Sequence, residues 1–510
     1  MRWAIAAALA GAVMLWLASP AVGLGWLAWL ALVPPAAVAI ADPAGRAGRL
    51  ALPLAYAVAL ELLLVPALPF GLADGQFGEL PAPIFIDGSP VLLVALLLVP
   101  LFGLLLWAVR FGQPLPVARC PLPVACVALP AVAWGALDFV RVKLDPGAFW
   151  GPLFLTQHDL PTASLAALGG PALVSFAVAL TGYAVALALV RRTRGAALGA
   201  AAVAALVAAA SFAGDAVRGD GGRSVTVAAV QPGEHTAEDD KFPFERFERD
   251  TYDLAALDVI ADLTPLTEEA AQRGARVIAW PEAIAFVDPT RLPLARGRLI
   301  RLAQRTGAAI VVPYFIRAER QGEAVVVSPT GEISSPLPKQ RPRWFWDEDG
   351  GNRVAPRPVE AAGIKIGTLL GVDNQDPAVA RRLADAGAEL LVSSTHDWRE
   401  LSVLQRAYSR ITAAATGTPV ARADWRYGSA VIDADGTDAA APDTARARRI
   451  VVAEVRARSG STPYTEIGDL FGWLCAAVAA ATWLAVPLAR LRRRAGGRPV
   501  RPEPPPAPPA

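Results

Sequence analysis

The chain has 510 residues, 54% of them hydrophobic and only 18% charged, with a net charge of +2 and a mean hydropathy of +0.39. That balance fits a protein with much of its surface in lipid. Basic residues are scattered or sit beside apolar runs, so nucleic-acid binding is not favoured.

Apolar runs long enough to span about 30 Å of hydrocarbon occur near residues 3–20, 22–41, 50–70, 90–109, 121–140, 163–190, 194–213 and 469–489. The second run follows the first directly, with no small-residue cleavage site between them, so the first is read as a retained span and not a removed signal. Arginine placement sets the orientation. Arg46 and Arg49 follow the second run, Arg110 and Arg119 the fourth, Arg191, Arg192 and Arg194 the sixth, and Arg490, Arg492, Arg493 and Arg494 the last. The loop 71–89 has no Lys or Arg but holds Asp74, Glu79 and Asp87. The positive-inside rule then puts both termini in the cytoplasm and residues 216–468 outside, with Arg141 and Lys143 as an exception on a short outer segment. Glu61 lies within the third run, where an intramembrane carboxylate is either a functional group, a helix–helix hydrogen-bonding residue or a protonated packing residue.

From Val225 the pattern changes to short Val- and Ile-rich runs that alternate with helical stretches. Strands are predicted at 225–230, 276–280, 309–313, 324–327, 364–370, 390–393, 420–423, 429–432 and 450–455. Helices are predicted at 252–273, 290–306, 377–386 and 401–416, and hairpin turns at Thr330–Gly331 and Ala434–Asp435–Gly436. Such alternation means a layered α/β domain with some antiparallel pairs. The expected organisation is therefore a transmembrane domain of about seven helices over 1–215 and an extracytoplasmic α/β domain over 216–458. A re-entry segment and last helix follow over 459–490, then a basic, Pro-rich cytoplasmic tail over 491–510. Cys120, Cys126 and Cys475 sit in apolar stretches and show no metal-ligand spacing with His158, His235 or His396, so neither a metal nor a cofactor is expected.

Several local sequences occur in a telling order. Trp280–Pro281–Glu282 ends a strand, and Lys339 follows a strand pair and turn. Gly387–Ala388–Glu389–Leu390–Leu391–Val392 leads to Thr395–His396–Asp397–Trp398, then Ser429–Ala430–Val431–Ile432–Asp433, then Thr462–Pro463–Tyr464 with Gly468–Asp469. Gly25–Trp26–Leu27–Ala28–Trp29 and Trp134…Asp138…Arg141 belong to the same series in the apolar half. Taken together they resemble the apolipoprotein N-acyltransferases, a membrane branch of the nitrilase, or carbon–nitrogen hydrolase, superfamily.

The resemblance implies a multi-pass α-helical membrane domain joined to a nitrilase-like αββα sandwich. It also implies a reaction: acyl transfer from a membrane phospholipid to the N-terminal amine of a diacylglyceryl-cysteine lipoprotein, by way of a cysteine thioester. In that scheme Glu282 is the general base and Lys339 the oxyanion stabiliser, with Asp347 at the place of a further active-site glutamate. The nucleophile segment reads Gly367–Thr368–Leu369–Leu370–Gly371–Val372–Asp373. Gly371 stands where the resemblance calls for the cysteine, and Asp373 where it calls for a glutamate. Trp425–Arg426–Tyr427 replaces an asparagine-containing turn.

Without sulfur no thioester forms, so an impaired homologue is expected. Ser393, Ser394 and Thr395 end the next predicted strand near the expected pocket and are either substitute nucleophiles or ordinary strand-end hydrogen bonders. A water-using hydrolase built on Glu282, Lys339 and Asp373 is a further reading. So is a retained structural ion pair of Lys339 with Asp347 or Asp373. From a different class comes a non-catalytic membrane scaffold that binds lipid, lipoprotein or another membrane enzyme, for example a polyprenol-phosphate mannose synthase.

Overall fold

The structure is a computed structural model and describes residues 2–41, 123–143, 151–219, 221–233, 252–316, 318–342, 348, 354–397, 399–441 and 447–495. The apolar half contributes helices α1 (Arg2–Leu17), α2 (Val33–Ala41), α3 (Pro123–Lys143), α4 (Pro171–Arg191) and α5 (Arg194–Ala216). Among the described residues, α4 and α5 are the helices long and apolar enough to cross a membrane. The runs at 50–70 and 90–109, Glu61 and the loop 71–89 lie outside the described residues.

Two of the predicted runs are broken. The 22–41 run starts as a 3-10 turn at Gly25–Leu27 and a short helix at Ala28–Ala31 before α2 begins. The 163–190 run breaks at Gly170, whose φ of +77° interrupts the helix. A side chain there would also meet the ring of Tyr464, at 2.5 Å from Cε2, so glycine both turns the chain and admits the aromatic ring.

The helices pack through small residues. Ala28, Ala31, Leu32, Ala36, Val178, Ala179, Tyr183 and Ala186 share one buried cluster. Asp138 on α3 is fully buried. It accepts from Arg141 at 3.1 Å, from Ser175 Oγ on α4 at 2.7 Å and from the Leu153 backbone at 2.7 Å. A buried charge is tolerated only when paired and hydrogen-bonded in this way.

Residues from Arg223 to Ala457 form two six-stranded sheets. The strands are β1 (Arg223–Gln231), β2 (Val277–Ala279), β3 (Ala309–Ile316), β4 (Gln321–Val327), β5 (Leu337–Pro338), β6 (Val359–Ala361), β7 (Ile364–Leu370), β8 (Leu390–Thr395), β9 (Val420–Asp424), β10 (Ala430–Ile432), β11 (Asp438–Ala440) and β12 (Arg449–Ala457). Their orders are β12-β1-β2-β3-β4-β5 and β11-β10-β9-β8-β7-β6, with parallel pairs at the centre of each sheet and antiparallel pairs at its edges.

Central strands are apolar on both faces, as strands covered on both sides must be. Val225, Val227 and Ala229 meet Ile366, Leu390, Val392 and Ala423 between the sheets. The alternate residues Ala228 and Val230 face α6 (Tyr252–Gln272) and α7 (Pro293–Thr306). On the other sheet, Leu369, Leu391 and Ile432 face α8 (Pro377–Asp385) and α9 (Arg399–Thr416). In α7 the buried Ala295, Leu299, Leu302 and Ala303 recur at helical spacing, and Pro293 opens the first turn where its missing N–H is harmless. The layers are thus helices, sheet, sheet, helices.

The two halves meet along α9. Leu404, Ala407, Tyr408, Ile411 and Ala414 pack on Phe154, Leu155, Leu165, Ala166 and Tyr464. After β12 a short helix, Pro463–Ile467, capped by Thr462 Oγ1, turns the chain into α10 (Leu470–Ala495). The first turns of α10 lie against α3, with Trp473 edge-on to Phe139 at 4.9 Å.

Candidate functional site

The strand ends β2, β5, β7 and β8 converge on one cluster. Trp280 is fully buried at the end of β2, and its indole N–H donates to Thr267 Oγ1 on α6 at 2.9 Å. This fixes the turn through Pro281 to Glu282. The Glu282 backbone N–H donates to Thr395 O at 3.3 Å, and its carbonyl accepts from Trp425 Nε1 at 2.6 Å. Lys339 follows β5, its N–H donating to Gly322 O at 2.9 Å. Its ammonium, 5% exposed, lies 3.1 Å from Glu282 Oε1 and 2.6 Å from Glu348 Oε1.

Glu348 is not among the residues that the resemblance singles out; Asp347, which it puts at this place, lies outside the described residues. Asp347, Glu348 and Asp349 are three consecutive acids, and no local signal separates one from the next. The acid beside Lys339 is therefore a full-length glutamate.

Asp373 does a different job from a direct lysine partner. It is 1% exposed and takes the backbone N–H groups of Gln340 at 3.0 Å, Arg341 at 2.7 Å and Leu370 at 3.2 Å. It thereby ties the chain just after Lys339 to the turn that follows β7. Gly371 starts that turn with φ +51°. A Cβ built on it would lie 2.6 Å from both carboxylate oxygens of Glu282. The Glu282 carboxylate thus occupies the space into which a side chain at position 371 would project.

The electrostatics follow from burial. Burial raises Glu282 above the ordinary carboxylate range, although Lys339 pulls it down; Glu348 and Asp373 push it further up. Burial works against the charge on Lys339, but Glu282 and Glu348 outweigh it and hold the ammonium above its usual value. Asp373 is pushed up to about 6 by burial, against its backbone donors and Lys339. The site therefore offers a carboxylate ready to take a proton and a cation able to stabilise an oxyanion. Position 371 offers no nucleophilic atom, and the chain holds no cysteine between 127 and 474.

The three hydroxyl candidates are differently placed. Ser394 Oγ donates to Trp280 O at 2.8 Å and Thr395 Oγ1 to Asp424 Oδ2 at 2.8 Å, so both protons are engaged. Ser393 is buried, and its Oγ finds no hydrogen-bond partner among the described residues. It alternates with Val392 and Ser394, on the face it shares with Leu391, which packs under α8 and α9. His396 lies edge-tilted to Trp425 at 5.6 Å, and burial holds it well below its usual value. Behind it, the fully buried Arg422 bonds Asp397 at 2.6 Å and Asp424 at 3.2 Å. Asp424 in turn caps the backbone of Arg426 and Tyr427, both at 3.0 Å. That network sets the turn carrying Trp425.

Among solved structures, the sandwich is similar to a carbon–nitrogen hydrolase from Helicobacter pylori G27, at 16% identity, with a TM-score of 0.38, covering 48% of this chain and 91% of that one. An amidase from Nesterenkonia sp. is similar at 18% identity and a TM-score of 0.37, covering 47% and 93%. The family model of the apolipoprotein N-acyltransferase N-terminal domain matches residues 11–184, and that of carbon–nitrogen hydrolase matches residues 226–464. With the two regions side by side in one polypeptide, the chain belongs to the apolipoprotein N-acyltransferase family of the nitrilase superfamily.

Proposed function

We propose that this family member binds membrane phospholipid and lipoprotein at the cleft around Glu282 and Lys339 but does not carry out the thioester step of the family reaction. The supporting observation is that the Glu282 carboxylate fills the space a side chain at position 371 would enter. The backbone at 371 aims its Cβ direction at the proposed base, 2.6 Å from its oxygens, and the residue there supplies no sulfur. Glu282, Lys339, Glu348 and Asp373 are then a retained acid–base frame around the nucleophile's position. Ser394 and Thr395 are occupied and Ser393 faces the helices, which weighs against a substitute hydroxyl.

The membrane reading belongs to the same proposal. About eight spans, counted from run length, hold the protein in the bacterial plasma membrane. Residues 216–458 form the extracytoplasmic domain, and both termini are cytoplasmic. A two-chain acyl donor stays in the bilayer, so a site that receives it must stay beside the bilayer too. The test is purified full-length protein given phospholipid and a diacylglyceryl lipopeptide, followed by mass spectrometry. No acyl-enzyme and no N-acylated peptide are expected. Robust N-acylation that disappears in Glu282→Gln would overturn the reading.

A further inference from the structure

Arg341, two residues past Lys339, reaches out of the sandwich. Its Nη1 and Nη2 donate to the carbonyls of Val142 and Lys143, each at 3.2 Å, in the last turn of α3. Carbonyls in a last helical turn lack partners within the helix, and the guanidinium satisfies them. Nη1 also pairs with Asp376 Oδ2 at 2.8 Å. The other oxygen of Asp376 holds Lys143 Nζ at 2.9 Å, and Lys143 reaches Asp469 Oδ2 at 2.9 Å as well. Asp469 Oδ1 in turn accepts from the Tyr464 hydroxyl at 2.9 Å. Among the described residues, two cations and two carboxylates thus pair where α3, the sandwich and the start of α10 meet. Asp376 is the shared node. Burial opposes its charge, but Lys143 and Arg341 hold it below the ordinary carboxylate range.

Three consecutive residues are therefore gripped from three sides. Lys339 is held by Glu282 and Glu348, the backbone of Gln340 and Arg341 by Asp373, and the Arg341 side chain by the end of α3. Neighbouring Cα atoms are fixed about 3.8 Å apart, so this stretch has no slack to absorb a shift. We propose that Arg341 is a positioning residue and that the Lys143–Asp376–Arg341 cluster couples the position of α3 to that of Lys339. A ligand that displaces the end of α3 moves Lys339 away from its two carboxylates, and a ligand seated at Lys339 biases α3 by the same free energy. The proposal rests on the reading above only for the kind of ligand, a lipid beside α3.

The lysines of the chain are Lys143, Lys241, Lys339 and Lys365, so each can be followed separately. Full-length protein in detergent is labelled with acetic anhydride across a pH series, and the peptides are quantified by mass spectrometry. Lys143→Met is expected to raise Lys339 labelling about tenfold at a given pH, the effect of one unit of lost carboxylate contact. Lys143→Arg is expected to restore the native rate. The sign is informative, because deleting a nearby positive charge acts through space in the opposite direction and would make Lys339 hold its proton more tightly. Lys365, exposed on β7, gives the reference rate for an accessible lysine and should not change. Unchanged Lys339 labelling in Lys143→Met overturns the coupling, as does a rise that Lys143→Arg shows equally, which would mean that the charge at position 143 is not what holds Lys339. Failure of the acyl-transfer reading leaves this readout intact, since it uses no substrate.

Discussion

Replacing Gly371 by cysteine tests the site most directly. The backbone there has φ +51°, where an L-residue costs about 1–2 kcal/mol. The new Cβ also starts 2.6 Å from the Glu282 oxygens, so the carboxylate must withdraw by about 0.8 Å to reach ordinary contact at 3.4 Å. It can do so by loosening its 3.1 Å contact with Lys339, which keeps Glu348 at 2.6 Å. Gly371→Ala carries the same backbone strain and the same displacement but no sulfur, so the difference between the two variants isolates the chemistry. Both should lower the unfolding midpoint of the detergent-purified protein by the same amount. Only the cysteine variant, incubated with phospholipid micelles, should gain the mass of one acyl chain, and hydroxylamine should remove it. Adding Glu282→Gln should slow that acylation by about a hundredfold or more, the usual contribution of a general base. A thiol introduced at position 371 that iodoacetamide alkylates readily but that accepts no acyl group would refute the assignment of this cleft as an acyl-transfer frame.

Lys339→Met should destabilise the protein by about 3 kcal/mol or more, because the Glu282 carboxylate would lose the ammonium paired with it at 3.1 Å; a double variant that also carries Glu282→Gln should recover most of the loss in denaturant titrations. The Asp373 carboxyl has a folded value of about 6 against 3.8, so the folded state holds its proton more tightly than the unfolded state. Its contribution to stability is complete below pH 3.8 and is lost as pH rises through about 6. Asp373→Asn should flatten that slope in unfolding midpoints measured from about pH 4 to pH 7, and an unchanged slope would assign it to another group. Cysteine labelling in intact cells should find residue 300 accessible from outside and residues 115 and 495 protected, and a cytoplasmic residue 300 would overturn the proposed topology.

The strands of the sandwich were legible because their residues obey a local rule. Val225, Val227 and Ala229 alternate with Ala228 and Val230, and no other arrangement covers both sets. The short strands β5, β6 and β11 escaped because each holds at most one β-branched residue, whereas the equally short β2 and β10 each carry a Val and an Ile. The runs at 22–41 and 163–190 read as continuous spans since hydropathy does not register a positive φ at Gly170 or a 3-10 turn at Gly25. At the site, Trp280–Pro281–Glu282 and Lys339 were visible as punctuation at strand ends. Glu348 was not singled out, because the three consecutive acids 347–349 carry no local signal that separates them. Arg341, Asp376 and Lys143 were invisible for a different reason: Lys143 is 233 residues from Asp376 and 326 from Asp469, and no local pattern reports a pair formed only by the tertiary fold.

The sandwich begins and finishes at one spot, since Arg223 on β1 stands opposite Ala457 on β12. Chain ends so close together usually mark a unit that tolerates transplantation, with a short linker bridging the gap left in its host. Here that economy is deceptive. Leu404, Ala407, Tyr408 and Ile411 on α9 are covered by Phe154, Leu155, Leu165 and Tyr464, all of which lie outside the stretch between those ends. A fragment cut at 222 and 458 would fold with a greasy flank bare to water and would be driven to clump. Its solubility would have to be restored by polar substitutions along α9, and the helical half would lose its own covering in the same cut.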